Sequence, residues 1–562
     1  MNDSTAIRRR IDAAKGRIPC DLVIRGVRYL DVFSCQWREG DVSIVDGAIV
    51  GLESGLKGRR EIDARGRYLA PGFIDAHVHV ESSLLVPNHF EHAVLRRGTT
   101  TAVCDPHELA NVLGVSGLEY FLRSAENLSM DLWVMLSSCV PATHMETNGG
   151  GTIQASELVP LAAHPRALGL AEMMNMPGVV NAAPDVLEKL EAFAMHPIDG
   201  HCPLLSGQDL SAYASAGISS CHESSELKEA EEKLTKGISV WIREGSVAKD
   251  LDRLAPLLTL ATSTSVGFCT DDRNPLDIAA EGHIDHLVRG AIRLGVPSEV
   301  AFRSASWSVA RHYGLTSHGK RFGAIAPGYV ADLVLLEDAQ SVAIHSVYKR
   351  GLRVDELPAS AEVDVDLRNT VRAHVPAEPD LTGPSGQVHV IEVLEGRILT
   401  GRRVESHTAP GVARLSVLER YGRGSKPANG YVSGFGKGFR GAIASSVGHD
   451  SHNLIAVGSS AAEMRVAMQA LIECGGGFCV VQKGKVLERL PLPFGGLMSE
   501  RSADVLKVEL EKLKKASRAV GCELGEPFLQ LAFLSLPVIP SLKLTDKGLV
   551  DVDKFEIIDV RA

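Results

Sequence analysis

Residues 71–83 read PGFIDAHVHVESS, and this stretch decides the fold. Its apolar run has the length of a strand and carries Asp75, His77 and His79 at alternate positions, so the three side chains project from one face. Similar runs recur downstream, each closed by polar residues and followed by a helix-like segment. The eight runs are FIDAHVHV (73–80), TTTAVCD (99–105), DLWVMLSS (131–138), ALGLAEM (167–173), PIDGHCP (197–203), GISSCHE (217–223), ISVWIRE (238–244) and SVGFCTDD (265–272). Eight strand-plus-helix units predict a parallel sheet closed into a (β/α)8 barrel.

Strand-rich sequence flanks the predicted barrel on both sides. Residues 21–72 alternate apolar and polar side chains, with Gly and Asp between the runs, which is typical of short antiparallel strands. A similar passage, GAIAPGYVADLVLL, returns at 323–336 after the last barrel run. The spacing predicts that the two pieces fold together into one small composite β-sandwich domain.

A third region begins near residue 380. It opens with GQVHVIEVLEGRILTGRRV (386–404) and contains amphipathic helix candidates at 460–472 and 503–516. We interpret it as a separate domain. The predicted fold class is therefore α/β, a TIM-like (β/α)8 barrel with a small composite β-sandwich domain and an additional C-terminal α+β domain. The predicted boundaries are 1–70 and 321–375 for the two parts of the β domain, 71–320 for the barrel and 376–562 for the C-terminal domain.

The composition is that of an ordinary globular protein, with 562 residues, 45% of them hydrophobic and 23% charged, and a net charge of -10. A negative charge balance does not favour nucleic acid or an anionic membrane surface as a partner. No apolar run reaches the ~20 residues that span a bilayer, and the first residues do not form a secretory signal. The Cys residues form no CxxC pair, which indicates a reducing compartment. We expect a cytoplasmic protein without nucleic-acid or membrane partners.

Metal-ligand side chains mark the ends of the predicted strands, where the catalytic groups of a barrel lie. They are His77 and His79 on the first strand, Glu172 on the fourth, His201 on the fifth, His222 on the sixth and Asp271 on the eighth. A single His at a strand end is most often a packed residue, but packing does not account for the whole set. Imidazoles and carboxylates suit one or two divalent ions, and two ions require a bridging anion such as the Glu172 carboxylate.

These motifs carry a resemblance to a known family. PGFIDAHVHVESS, the eight barrel units and the split β flanks resemble the amidohydrolase superfamily of metal-dependent hydrolase barrels and, within it, the bacterial adenine deaminase family. Further stretches similar to that family are CDPHELANV (104–112), AEMMNMPGVV (171–180), DGHCPLLSG (199–207), WIREGS (241–246), CTDDRNPLDI (269–278), SSVGHDSHNLIAVG (445–458) and LPLPFGGLMS (490–499). The similarity runs from about residue 21 to the C-terminus and includes a C-terminal domain that most amidohydrolases lack.

The resemblance implies a role for each ligand. One ion is held by His77, His79 and Asp271, the other by His201 and His222, and Glu172 bridges the two. Many amidohydrolases use a carboxylated lysine on the fourth strand. No Lys lies between residues 161 and 187, so Glu172 fits the adenine deaminase pattern rather than that of hydantoinase-type relatives.

The resemblance also implies an enzyme, a hydrolase of cyclic amidine C–N bonds that converts adenine to hypoxanthine and ammonia in purine salvage. Water on a divalent ion has a pKa lowered toward ~7, so a metal-bound hydroxide adds to C6 of the purine. A carboxylate, Asp271, takes the proton and passes it on, and Glu172 acts with it in catalysis. The resemblance favours two Mn²⁺ or Fe²⁺ ions per subunit, with Zn²⁺ also compatible, in a homodimer that binds a small purine base.

Other polar residues are candidate substrate-binding or supporting residues. They are Asp105 and His107 after the second strand, Arg243 and Glu244 at the end of the seventh, and His449, Asp450 and His452 in a Ser/Gly-rich loop of the third domain. The first pair contacts substrate or a further ion, or belongs to an Asp-Pro turn. The second pair holds the purine edge, or its two members pair with each other. The third group reaches over the barrel mouth or forms a solvated loop.

Other functions stay open at this point. An amidohydrolase that acts on a cyclic amide or an N-acetyl group shares the barrel, and Glu172 and the third domain distinguish it. The sequence does not distinguish a deaminase of a modified or larger purine. A non-catalytic metal-binding or assembly protein on a decayed barrel predicts missing ligands, and the sequence retains all six.

Overall fold

The computed structural model describes residues 4–317, 321–424 and 426–562. The predicted domain boundary at residue 320 falls outside the described residues. Within these ranges, no helix combines the length and the apolar character needed to cross a membrane. The first described elements are helix α1 (Ser4–Ala14) and the strands β1 (Cys20–Asp31), β2 (Gln36–Val45), β3 (Ala48–Gly51), β4 (Gly58–Asp63) and β5 (Tyr68–Pro71).

The middle of the chain forms a barrel of eight parallel strands. They are β6 (Phe73–Val78), β7 (Thr99–Cys104), β8 (Asp131–Leu136), β9 (Ala167–Met173), β10 (Ile198–Gly200), β11 (Ser220–Cys221), β12 (Ser239–Arg243) and β13 (Val266–Cys269). The segment after β13 returns to β6, where the Asp271 amide donates to the His77 carbonyl at 3.0 Å. Each predicted apolar run contains one of these strands, so the predicted (β/α)8 barrel is confirmed.

Helices cover the outside of the barrel. They are α2 (Pro87–Leu95), α3 (His107–Leu113), α4 (Val115–Asn127), α5 (Ala155–Ala162), α6 (Met176–Val180), α7 (Pro184–Ala192), α8 (Gly207–Ser215), α9 (Leu227–Thr235), α10 (Leu251–Leu254), α11 (Pro275–Ala280), α12 (Ile284–Arg293), α13 (Ser298–Ser304) and α14 (Trp307–His312). Every residue of β6, β7 and β8 is buried. Because both faces of the barrel sheet are covered, its strands have continuous apolar sequences rather than alternating ones.

Strands from both sides of the barrel share one sheet. After the barrel come β14 (Leu333–Asp338), β15 (Ala343–Lys349) and β16 (Leu352–Arg353). The sheet has the order β16-β15-β14-β5-β1-β2-β3, with β4 beside β1, and β14 pairs antiparallel with β5. Lys349 Nζ lies 2.6 Å from Asp131 Oδ2 at the start of β8, which ties this composite sheet to the barrel. The domain boundaries themselves stay a prediction.

The C-terminal region adds a second large sheet and a small one. Its strands are β17 (Gln387–Val393), β18 (Thr400–Ser406), β19 (Val412–Leu418), β20 (Ala428–Ser433), β21 (Ala442–Ser445), β22 (Leu454–Gly458), β23 (Gly477–Gln482), β24 (Lys485–Pro491), β25 (Leu542–Thr545), β26 (Gly548–Asp551) and β27 (Glu556–Ile558). Its helices are α15 (Ala461–Glu473), α16 (Ala503–Ala519) and α17 (Pro527–Ala532). Helices α15 and α16 confirm the two predicted amphipathic helices.

The C-terminal region lies against the end of the barrel where the strands finish. The Thr545 hydroxyl donates to the Met145 carbonyl at 2.6 Å, and the Thr147 amide donates to Asp546 Oδ1 at 2.9 Å. Both barrel residues belong to the segment that follows β8. These contacts place C-terminal side chains over the barrel mouth.

Candidate active site

Six buried imidazole and carboxylate side chains meet where the barrel strands end. They are His77 on β6, His79 just after it, Glu172 on β9, and His201, His222 and Asp271 just after β10, β11 and β13. Each is between 1% and 6% exposed. The structure therefore brings together all six residues that the sequence predicted as metal ligands.

Glu172 lies between two pairs of histidines. Its Oε1 is 3.7 Å from His77 Nε2 and 3.3 Å from His79 Nε2. Its Oε2 is 2.6 Å from His201 Nδ1 and 3.3 Å from His222 Nε2. Because each oxygen faces its own pair of imidazoles, the carboxylate has the geometry of a bridge between two sites.

The orientation of the imidazoles fits a metal centre. Asp271 Oδ1 lies 3.2 Å from His79 Nε2, on the same side as His77. The second ring nitrogen of His79, Nδ1, donates to the Asp105 carbonyl oxygen at 2.9 Å. A hydrogen bond of this kind fixes the tautomer and leaves Nε2 free to bind a metal. His77, His79 and Glu172 form one set of donor atoms within 4.8 Å of one another, and Glu172, His201 and His222 form a second.

The charges in the site depend on one another. Burial opposes ionisation of Glu172, but His201 and His222 hold the pKa of that carboxyl well below its usual range. Burial also opposes protonation of His79, while Asp271 and Glu172 raise its pKa well above the usual value. Buried imidazoles and carboxylates thus lie together and stabilise each other's charge. These are the side chains that bind divalent cations in proteins.

Arg243 and Glu244 do not pair with each other, so that part of the prediction is wrong. Arg243 Nη1 lies 3.1 Å from Asp271 Oδ2 and also contacts Glu223, and Arg243 Nη2 lies 3.2 Å from Asp250 Oδ2. Glu244 instead accepts from the Leu251 amide at 3.1 Å. The strand-end arginine therefore acts on the site by holding Asp271.

His107 is the first residue of α3, and it lies beside the cluster. Its Nδ1 is 3.0 Å from Asp105 Oδ2 and 3.3 Å from Glu172 Oε1. Asp105 also accepts from the Ser137 hydroxyl at 2.8 Å. Both residues thus lie within contact distance of the predicted ligands, as candidate supporting or substrate-binding groups.

The loop that carries His449, Asp450 and His452 is buried, so the solvated-loop alternative is wrong. Asp450 Oδ1 lies 3.6 Å from His107 Nε2, across the boundary between the C-terminal region and the barrel. His449 lines the same cleft as the cluster. His452 is fully buried behind them, 3.8 Å from Glu108 Oε2.

Sequence reasoning missed several residues of the site. Glu223 and Asp272 follow predicted ligands directly and line the same cleft, so their position beside His222 and Asp271 was the available signal. Phe533, Leu536 and Ile539 form an apolar wall of the cleft from the C-terminal region. No local signal marks these three, because apolar residues of this kind are usually part of a core.

Asp75, the first polar residue of the opening motif, does not join the cluster. It accepts from the Thr270 hydroxyl at 2.6 Å and from the Thr270 amide at 3.1 Å. Burial raises its pKa to about 7. Its position joins β6 to the end of β13 and so supports the closure of the barrel.

Comparison with known proteins defines the class. The model of the amidohydrolase family matches residues 68–354, which include the barrel and all six clustered residues. The chain thus belongs to the amidohydrolase family. Family membership and the cluster of imidazoles and carboxylates together indicate that the site binds divalent metal.

The C-terminal region shows to which family of amidohydrolases the chain belongs. It matches the adenine deaminase C-terminal domain over residues 393–556. The chain is 50% identical over 567 residues to a protein of Methylobacterium nodulans named adenine deaminase, covering 98% of this chain and 99% of that protein. It is 49% identical to one of Cereibacter sphaeroides, over 98% of both chains, and 45% identical to adenine deaminase 1 of Rhizobium johnstonii, over 99% of both. Within the amidohydrolases, the chain belongs to the adenine deaminase family.

Proposed function

We propose that this chain hydrolyses adenine to hypoxanthine and ammonia, in purine salvage, as a cytoplasmic homodimer. The observation that carries the proposal is the Glu172 carboxylate between two pairs of histidines. It occurs in a chain that aligns along 98% of its length with a relative named adenine deaminase. The match to an adenine deaminase C-terminal domain supports adenine over the cyclic-amide and N-acetyl substrates of other amidohydrolases.

The proposal includes two divalent ions per subunit, Mn²⁺ or Fe²⁺ in preference to Zn²⁺. His77, His79 and Asp271 would hold one ion, His201 and His222 would hold the other, and Glu172 would be shared between the two. The separation of the two Glu172 oxygens onto different imidazole pairs supports this division. When bound, such ions supply an activated water and a Lewis acid at neutral pH.

Asp271 is the residue that moves the proton in this proposal. Burial opposes its ionisation, but His77, His79 and Arg243 hold its pKa well below the usual range, so it is a carboxylate before reaction. The Arg243 contact to Oδ2, at 3.1 Å, leaves Oδ1 facing the cluster. Asp271 accepts a proton from the attacking water and delivers it to the amino group, which leaves as ammonia. A positioned general acid–base group of this kind contributes about 10²–10⁴-fold to the rate.

The C-terminal wall completes the site by excluding water from the substrate. Phe533, Leu536 and Ile539 line the same cleft as the polar cluster. A planar purine ring has apolar faces and a polar rim, so it can contact the wall with a face while C6 points to the cluster. Removal of water strengthens the electrostatic interactions of the site.

The experiment is to measure ammonia release from adenine by purified protein loaded with Mn²⁺ or Fe²⁺. Glu172→Gln and Asp271→Asn should each abolish turnover, while Glu188→Gln, an exposed carboxylate on α7, should retain it. A cyclic amide and an N-acetyl sugar serve as counter-substrates. Absence of ammonia release from adenine with metal bound, or turnover of a counter-substrate instead, would overturn the proposal.

A further inference from the structure

Two residues of the C-terminal region that line the cleft each carry a buried polar atom without a hydrogen-bond partner. Among the described residues, neither Nε2 of His449 nor Oδ2 of Asp450 has one. Both side chains line the cleft that holds the metal-ligand cluster, and they are 3% and 2% exposed. A buried polar group left unpaired is costly, so two at one place beside the cluster are groups whose missing bonds a bound ligand would supply.

His107 defines where these atoms lie relative to the cluster. Its Nδ1 is 3.3 Å from Glu172 Oε1, and its Nε2 is 3.6 Å from Asp450 Oδ1. Asp450 therefore lies across the His107 ring from Glu172. A substrate ring that points its reacting carbon toward the cluster turns its opposite edge toward Asp450 and His449.

The surrounding chain holds both side chains in place. The His449 amide donates to the Ala532 carbonyl at 3.1 Å, and the Ser535 hydroxyl donates to the His449 carbonyl at 3.1 Å. The His449 ring stacks on Phe533, with centroids 4.9 Å apart and planes inclined by 9°. Groups fixed in this way lose little conformational entropy when a ligand binds.

The charges of the two residues make them a donor beside an acceptor. Burial opposes protonation of His449, but Asp272, Asp450 and Glu108 raise its pKa to about 9, so both ring nitrogens carry hydrogen at neutral pH. Burial likewise opposes ionisation of Asp450, and His107 and His449 hold its pKa far below the usual range. Asp450 Oδ2 is therefore an acceptor and His449 Nε2 a donor.

We propose that His449 and Asp450 are specificity-determining residues that bind the N3 and N9–H edge of a free purine base. His449 Nε2–H donates to N3, and Asp450 Oδ2 accepts from N9–H. The inference rests on the proposed hydrolysis of adenine at C6, because N3 lies directly across the six-membered ring from C6. A nucleoside carries its sugar at N9 and has no hydrogen there, so it would leave Asp450 unpaired.

The test uses substrates that each lack one of these two groups. 3-Deazaadenine has no acceptor at position 3, and 9-methyladenine has no donor at position 9. We expect Asp450→Leu, which removes both acceptor oxygens, to lower kcat/KM for adenine about 10- to 100-fold and to leave 9-methyladenine nearly unchanged. His449→Leu should show the same pattern with 3-deazaadenine. The intrinsic reactivity of each analogue cancels in these ratios, because it is the same for every variant.

Two further variants separate recognition from structural support. Asp546→Asn also removes a carboxylate at the contact between the C-terminal region and the barrel, but Asp546 does not line the cleft. It should affect all three substrates equally if it affects any. His449→Gln retains a side-chain N–H and should restore part of the preference for adenine over 3-deazaadenine.

The outcomes that overturn the inference differ from those that overturn the function. Equal losses on adenine and both analogues in Asp450→Leu and His449→Leu would show that the residues only support the fold. Retention of full activity on adenine in both variants would also overturn it. If the unsubstituted, metal-loaded protein releases no ammonia from adenine, the proposed function fails and this inference fails with it.

Discussion

Lys349 is the buried cation that ties the composite sheet to the barrel, and Lys349→Met tests that role. Its Nζ lies 2.6 Å from Asp131 Oδ2 and 2.5 Å from Asp332 Oδ2. The Lys349 side chain is 2% exposed. Methionine is an unbranched chain of similar length, so the substitution removes the charge and the hydrogen bonds while most of the packing stays.

The expected magnitude follows from what the two carboxylates retain. Asp131 keeps Arg166 at 2.8 Å and Arg350 at 2.9 Å. Among the described residues, the bond that Asp332 keeps is the one from the Arg350 amide at 2.9 Å. Removal of one partner of a buried ion pair costs about 3–5 kcal/mol. Because burial already raises the pKa of Asp332, protonation relieves part of this cost, and we expect a loss of about 3 kcal/mol.

The assay is urea unfolding at pH 7, with hydrogen exchange at the amides of β14 and β15 to locate the loss. Arg350→Met is the matched control, because Arg350 also contacts Asp131 but its side chain is 50% exposed. Because Arg350 is half exposed and Asp131 would keep Lys349 and Arg166, this variant should lose clearly less stability than Lys349→Met. Equal losses in the two variants, or normal exchange protection of β14 and β15 in Lys349→Met, would refute the reasoning.

Other sites give outcomes that can be measured in the same way. Burial lowers the pKa of Lys543 to about 7. The unfolded chain therefore binds more protons than the folded chain between about pH 7 and 10.4. In that window the free energy of unfolding in urea should rise with pH by up to about 1.4 kcal/mol per pH unit relative to Lys543→Met. Parallel pH dependences of the two proteins would contradict this. Removal of bound metal with a chelator should lower the unfolding temperature, because an ion at 100 times its Kd stabilises the folded state by about 2.7 kcal/mol. If adding Mn²⁺ back does not raise the unfolding temperature again, that result would argue against a metal site. Tyr313→Phe removes a hydroxyl that lies 2.9 Å from both the Ala76 carbonyl and Asp199 Oδ2. The free energy of unfolding should therefore fall by about 1–3 kcal/mol. An unchanged midpoint of urea unfolding would contradict this prediction.

The barrel and its ligand cluster were predictable because their signals are local. A strand buried on both faces has a continuous apolar sequence, and parallel strands finish at the same edge. His77, Glu172 and Asp271 are far apart in sequence, yet strand order alone brings them together. The strand-end position of each residue was therefore sufficient to predict the cluster.

Contacts between residues on different elements were not predictable in this way. Arg243 contacts Glu223 and Asp271 rather than its neighbour Glu244, because successive strand residues point to opposite faces. The burial of the loop around Asp450 depends on contacts with the barrel, including the one with His107. A loop rich in Ser and Gly has no apolar pattern that indicates such a partner.

Substitutions on the barrel side of the cleft and on its C-terminal side should therefore affect kcat/KM in different ways. In the proposed function, the barrel holds the groups that act on the reacting carbon. Glu172 and Asp271 are part of one cluster, so loss of either should remove turnover of every substrate. The C-terminal region contributes His449, Asp450 and the apolar wall, which line the cleft. In the proposed binding mode they contact the parts of the ring that do not react. Interactions with those parts discriminate among substrates by the free energy of each contact. Changes on the C-terminal side should therefore alter the ratio of kcat/KM between related bases, whereas changes on the barrel side should lower all of them together.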